Sequence, residues 1–221
     1  VIIQTMLYVT VVLTMTIPNL IALQQKDIKR MLAYSSISNA GFAMGAIVIG
    51  TQEAINALFL YWVLFTVTNL GAFGMLWLNR GKSLNSYGSP YTFKKFSGLA
   101  QISPFTASIL GIFLFSLTGL PPFALFWGKM LLITSAVNAG HIALAIIMAL
   151  NSAIAAYYYL RPVSYMFLRN PEDETNTKFM QNATTPVIVV VGLMVFLTVI
   201  SVVFIDPLLN IISQYVVSSG F

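Results

Sequence analysis

From Ile102 to Ala136 the sequence carries one charged residue, Lys129, and the same run holds two adjacent prolines, in "LTGLPPFALFWGKMLLI" at residues 117–133. A continuous helix through the wider apolar stretch 99–137 would be roughly 58 Å long, well beyond the ~30 Å hydrocarbon core of a bilayer. Something must interrupt it. Pro121 and Pro122 lack an amide hydrogen, Pro122 pushes Pro121 away from helical geometry, and Gly119 supplies backbone freedom just before them. The break is therefore expected between Thr118 and Pro122, with Gly119, Pro121 and Pro122 as its hinge.

The solvent follows from composition. With 58% hydrophobic and 8% charged residues in 221 and a mean hydropathy of +0.85, the chain reads as a polytopic membrane protein. Cut at its charged and turn-forming clusters, it gives six apolar segments, at about 2–23, 31–50, 54–78, 99–137, 142–167 and 184–205, each near or above the ~20 residues a helix needs to cross. The expected fold is all-α, a membrane helix bundle of about six spans with one discontinuous helix. No cysteine is present and there is a single histidine, so disulfides, thiolate metal sites and a histidine-based metal cluster are excluded.

The charge of +5 does not point to nucleic acid, because the basic residues fall in alternate loops. Lys26, Lys29 and Arg30 lie in the first break, Arg80, Lys82, Lys94 and Lys95 in the third, and Arg161, Arg169 and Lys178 in the fifth, beside Glu172, Asp173 and Glu174. Ten of the eleven basic residues thus share one side, which the positive-inside rule makes cytoplasmic, with both chain ends outward. Topology explains most of this charge, and lipid headgroups are the main alternative. A glycosylation sequon at Asn182–Thr184 falls on that same side and is discounted. The first residues, "VIIQTMLYV", lack an initiator Met and a flanking charge, and suggest a piece of a longer product.

Lys129 is the eleventh basic residue. It lies about two turns beyond the proline pair, at a depth where charge is costly. Unwound backbone inside a membrane persists only where protein or a water-filled cavity satisfies its carbonyls and amides. An interrupted helix with a buried ionisable group is the pattern of an ion or proton path. Burial disfavours the charged form of a lysine, so such a group can take up and release a proton. The competing reading, a lysine snorkelling to the interface, fits poorly with its neighbours "FWG" and "MLLI".

These residues resemble a known family. "GLPPFALFWGKMLLI" is similar to the broken, lysine-bearing helix of the antiporter-like membrane subunits of respiratory complex I. "NLIALQQKDIKRMLAYSSISNAGF", residues 19–42, is similar to the same family's loop-to-helix signature, and "TNLGAFG", residues 68–74, narrows the likeness to one subunit type. The resemblance spans the chain as the later part of such a subunit. Residues 1–167 would be the second of two inverted five-helix repeats, and 168–221 a cytoplasmic loop, last helix and outer tail.

The resemblance implies a proton-translocating subunit of NADH-quinone oxidoreductase in a bacterial inner membrane. Lys129 is then the proton-transfer residue. NADH, FMN, iron–sulfur clusters and quinone would belong to partner subunits, and this chain would hold no metal or cofactor. Its partners would be other membrane-arm subunits, including an N-terminal half, with membrane lipids and protons. A cation/proton antiporter subunit of the same superfamily, or a purely structural membrane-arm piece, are the alternatives.

Where larger members of the family carry histidine and lysine, this chain offers Tyr61, Phe65 and Asn69, spaced by four along one helix face. Tyr61, Asn69 and the adjacent Thr68 are candidates for a water or proton path, although plain packing helped by Gly71 and Gly74 serves equally. His141, at an outer loop, is an interfacial residue and a candidate exit group. Lys26, Asp27, Lys29 and Arg30 are expected to set topology and anchor a loop. Ser35, Ser36 and Ser38 are expected to bond back to their own helix, Gly41 and Gly45 to allow close helix packing, and Asp206 to end the last span. The partner of Lys129 is expected in the absent half or in a neighbouring subunit.

Overall fold

A computed structural model of the chain describes residues 2–78, 89–172 and 184–218. The described chain is helical, and its one β-bridge pairs Asp27 with Thr92. Helices α1 (Ile2–Gln24), α2 (Ile28–Ile49) and α3 (Gln52–Leu78) are followed by a 3-10 turn at Phe93–Phe96 and a four-residue α4 (Leu99–Ile102). Then come α5 (Pro104–Thr118), α6 (Ala124–Asn138), α7 (Ile142–Leu168), α8 (Thr185–Ile200) and α9 (Ile205–Ser218). α1, α2, α3 and α7 are each long and apolar enough to cross a membrane.

The expected fourth segment is two 15-residue helices, α5 and α6, each roughly 22 Å long and so too short to cross alone. α5 starts at Pro104 rather than near residue 99, because a proline cannot extend the ladder of α4 but is well placed in the first turn of a new helix. α5 ends at Thr118, Gly119 follows with φ +71°, and α6 begins at Ala124. The break falls where the prolines predict it, and the Pro121–Pro122 peptide is cis.

The last segment differs from expectation. α8 stops at Ile200 and α9 leaves it at 95°. Asp206 therefore does not end the last span but lies in the first turn of α9, where a carboxylate is favourable to the helix dipole. Pro207 has no amide with which to continue the ladder of α8, whereas the first turn of a new helix needs none there.

In hydrocarbon, helices associate through close packing and interhelical hydrogen bonds. α3 packs against α2, α5, α6, α8 and α9. Gly41 lets α2 meet the backbone of α1, since a β-carbon there would lie 2.7 Å from Met15 N. Gly71 likewise abuts Phe113, and Gly74 abuts Val191, whereas Gly45 makes only ordinary contact with Met148. Ser35 and Ser36 donate to Leu32 O in their own helix, but Ser38 crosses to Met15 O at 2.6 Å.

The described basic loops meet at one end of the bundle. Ile28 N donates to Tyr91 O at 2.9 Å, Phe93 N to Lys26 O at 3.0 Å, and Gly98 N to Tyr165 O at 3.0 Å. Asp27 caps α2 by accepting from Arg30 N at 2.9 Å and also accepts from the Ser89 hydroxyl. Lys29 lies 5.5 Å from the centre of the Tyr91 ring. Asp27, Lys29, the backbone of Lys26 and the amide of Arg30 are the parts of this loop that make these contacts. Arg80, Lys82, Asp173, Glu174, Lys178 and Asn182 lie outside the described residues.

Candidate functional site

Lys129 is on the second turn of α6 and is 4% exposed. Its Nζ donates to Leu117 O at 3.3 Å and to Thr118 O at 3.2 Å. Those carbonyls belong to the last turn of α5, whose amide partners would have come from the residues that the break removes. The end of a helix also carries roughly half a negative charge. The interruption and the lysine therefore explain each other: the broken helix supplies acceptors that a continuous one would not, and the ammonium satisfies them. Within the described chain Lys129 thus has two partners, both carbonyls of α5.

Gly119 is fitted to this arrangement twice over. Its φ of +71° is in the left-handed region, and a β-carbon there would lie 2.7 Å from Lys129 Cδ and 3.0 Å from Nζ. Pro121 and Pro122 are exposed on the surface of the described chain. They shape the break without touching the ammonium.

α6 approaches α3 closely at Gly128, where a β-carbon would lie 3.1 Å from Tyr61 Cα. Tyr61 is fully buried, and its hydroxyl donates to Asn39 Oδ1 at 2.7 Å. Asn39 Nδ2 in turn donates to the Tyr159 hydroxyl at 3.2 Å, and the Tyr159 ring lies 4.7 Å from that of Tyr158. A buried polar chain thus joins α2, α3 and α7 beside the helix that bears Lys129.

The other candidates part company. Phe65 stacks on Tyr61 with ring centres 6.2 Å apart. Asn69 turns instead to Ser36 Oγ, at 3.2 Å, and Thr68 donates to Leu64 O in its own helix at 2.9 Å. His141 is half-buried at the start of α7. Its amide donates to Ala136 O at 2.8 Å while Gly140, with φ +81°, donates to Val137 O at 3.0 Å, which is a Schellman closure of α6. His141 is thus about a dozen residues along the chain from Lys129 and does not join it.

Sequence reasoning missed Asn39, Tyr158 and Tyr159. A signal existed, since a buried amide and paired tyrosines in apolar helices need partners. A second such cluster lies between α1 and α7, where Asn19 Nδ2 donates to Asn151 Oδ1 at 2.9 Å and Asn151 Nδ2 to Thr16 Oγ1 at 3.2 Å. Among the described residues no group of three or more His, Asp or Glu is placed to hold a metal.

An all-helical, multi-pass membrane bundle with a lysine capping a broken helix defines an antiporter-like membrane subunit. Residues 1–155 match the family described as NADH:quinone oxidoreductase/Mrp antiporter, transmembrane, and the chain belongs to that family. It is 50% identical over 220 residues to NADH-quinone oxidoreductase subunit N of Sulfurimonas denitrificans, covering 99% of this chain and 44% of the relative. A chain of respiratory complex I from Thermus thermophilus with bound aureothin superposes with a TM-score of 0.76 at 30% identity, covering 93% of this chain and 45% of that one. A chain of the archaeal membrane-bound sulfane sulfur reductase gives a TM-score of 0.80 at 25% identity, over 97% and 42%. The chain spans under half the length of these relatives.

Proposed function

We propose that this chain is the later part of a subunit N of NADH-quinone oxidoreductase and that Lys129 passes protons through the membrane arm. The observation that carries the reading is the ammonium of Lys129, buried on the open carbonyl end of α5. A cation held by neutral carbonyls, with no carboxylate bonded to it among the described residues, has a protonation equilibrium that a neighbouring charge readily shifts, because the site is poorly screened. Quinone reduction elsewhere in the complex would move such a charge, and the proton would leave or arrive by water ordered near Tyr61 and Asn39. Residues 1–167 would form the second inverted repeat and 168–221 the closing loop, last helix and tail. The basic loops would face the cytoplasm of a bacterial inner membrane.

Redox chemistry in this reading belongs to partner subunits, which would hold NADH, FMN, iron–sulfur clusters and quinone. The family name also covers Mrp antiporters, which gives a second reading, exchange of sodium for protons by the same lysine. Proton uptake driven by NADH in sealed vesicles carrying the full complex, with and without sodium, separates the two. Equal uptake without sodium supports the proposed function. Proton movement that requires sodium, and that an imposed sodium gradient drives without NADH, replaces it with exchange.

A further inference from the structure

At the end of the bundle where the basic loops meet, the α1–α2 loop, α7 and the turn before Phe96 border a cavity of about 280 Å³ lined by Lys26, Thr92, Phe93, Lys94, Arg161 and Tyr165. Among the described residues that line it, three are cations and none is acidic. Their like charges make this wall positive and favour an anion there, with Lys26 and Lys94 also open to water. Arg161 uses Nη1 for two long bonds, to Leu23 O at 3.4 Å and Gln25 O at 3.5 Å, and its guanidinium lies 5.1 Å from the centre of the Phe93 ring. Those contacts fix its position, and among the described residues none of them is with a carboxylate.

A second observation is independent of the charges. The Thr92 hydroxyl is buried and has no hydrogen-bond partner among the described residues. A buried hydroxyl left unpaired is costly, and an oxyanion placed in the cavity would accept its proton. Apolar side chains are exposed in the described chain along α1, at Leu20, Ile17 and Leu13, and along α7, at Tyr157 and Leu150, about one and three turns from Arg161. A ligand seated here would meet positive charge and, along α7, apolar surface.

We infer that the cavity is a headgroup site for an anionic phospholipid, with the phosphate among Lys26, Lys94 and Arg161 and the acyl chains along α1 and α7. Basic pockets between spans at the positively charged side of a membrane suit such headgroups. Phe93 and Tyr165, which line the cavity beside the cations, are of the aromatic type that favours a membrane interface. The site does not depend on the proton path.

The test uses the full-length protein that contains this chain, stripped of lipid in detergent and titrated separately with phosphatidylglycerol, phosphatidylcholine and inorganic phosphate, with binding read by native mass spectrometry. Phosphatidylglycerol should bind in preference to phosphatidylcholine, and inorganic phosphate should bind far more weakly. Lys26→Gln with Lys94→Gln should weaken the phosphatidylglycerol complex about fivefold per lysine, or roughly thirtyfold together, without changing the lipid-free melting temperature. Thr92→Val should weaken it further. Equal binding of the two lipids, an unchanged double variant, or inorganic phosphate binding as tightly as the lipid would each overturn the assignment. If the double variant lowers the lipid-free melting temperature, Lys94→Gln and Thr92→Val singly decide, and unaltered binding in both overturns it.

Discussion

Lys129 Nζ lies 3.2 Å from the carbonyl oxygen of Thr118, so the charged residue of α6 closes the open end of α5 across a break of five residues. A proline pair ends one helix, the freed carbonyls collect a cation from the next, and a buried ionisable group becomes tolerable at membrane depth.

Gly119→Ala separates backbone strain from displacement of the lysine when compared with Gly140→Ala. Both glycines have positive φ, so alanine costs about 1–2 kcal/mol of strain at either. At Gly140 a β-carbon meets nothing within 4 Å, whereas at Gly119 it meets the Lys129 side chain. Gly140→Ala should lower the thermal unfolding midpoint of the complex and leave proton pumping per turnover unchanged. Gly119→Ala should lower both.

Tyr61→Phe removes the donor to Asn39 Oδ1 and leaves a buried acceptor unpaired, at a cost of about 1–3 kcal/mol. Tyr159→Phe should cost a comparable amount through Asn39 Nδ2. Thermal unfolding of the two single variants and the double variant should give a coupling of roughly 0.5 kcal/mol or more, since both act on one amide. Strict additivity would mean that the three residues do not form one network.

Asp27→Ala should destabilise the loop end of the bundle by about 1 kcal/mol through loss of the α2 cap, and Asp27→Asn should recover most of it because its side-chain oxygen still accepts from Arg30 N. Limited proteolysis between α3 and α5 is the direct readout, since Asp27 also holds Ser89. Equal cleavage in all three proteins would contradict the anchoring role.

The break and the lysine were legible because prolines and charges are rare at membrane depth and carry few other meanings there. The spans from α1 to α3 and α7 were legible for the same reason, as uncharged runs between polar clusters. The bond from Tyr61 to Asn39 was not, because Asn39 is 22 residues away and Tyr159 is 120 from Asn39. Periodicity assigns a residue to a face of its own helix and says nothing of which helix faces it. Even that rule weakens with distance: Asn69 is eight residues from Tyr61, about 80° further round the helix, and so it reaches Ser36 instead of the buried tyrosines. The bend before α9 was missed because the apolar run continues through Ile200 to Phe204, and the signal that mattered was the missing amide of Pro207.

NADH-driven proton pumping and quinone turnover, measured in membranes carrying the full complex with Lys129→Ala beside Lys129→Arg as a charge-retaining control, decide whether Lys129 carries the proton. If Lys129 carries the proton, the alanine variant assembles normally yet pumps roughly a hundredfold less or worse, with coupled turnover slowed alongside. Arginine, which does not give up its proton, should preserve assembly without restoring pumping. If the alanine variant pumps and turns over at the wild-type rates, the broken helix is architecture and the account of Lys129 is wrong.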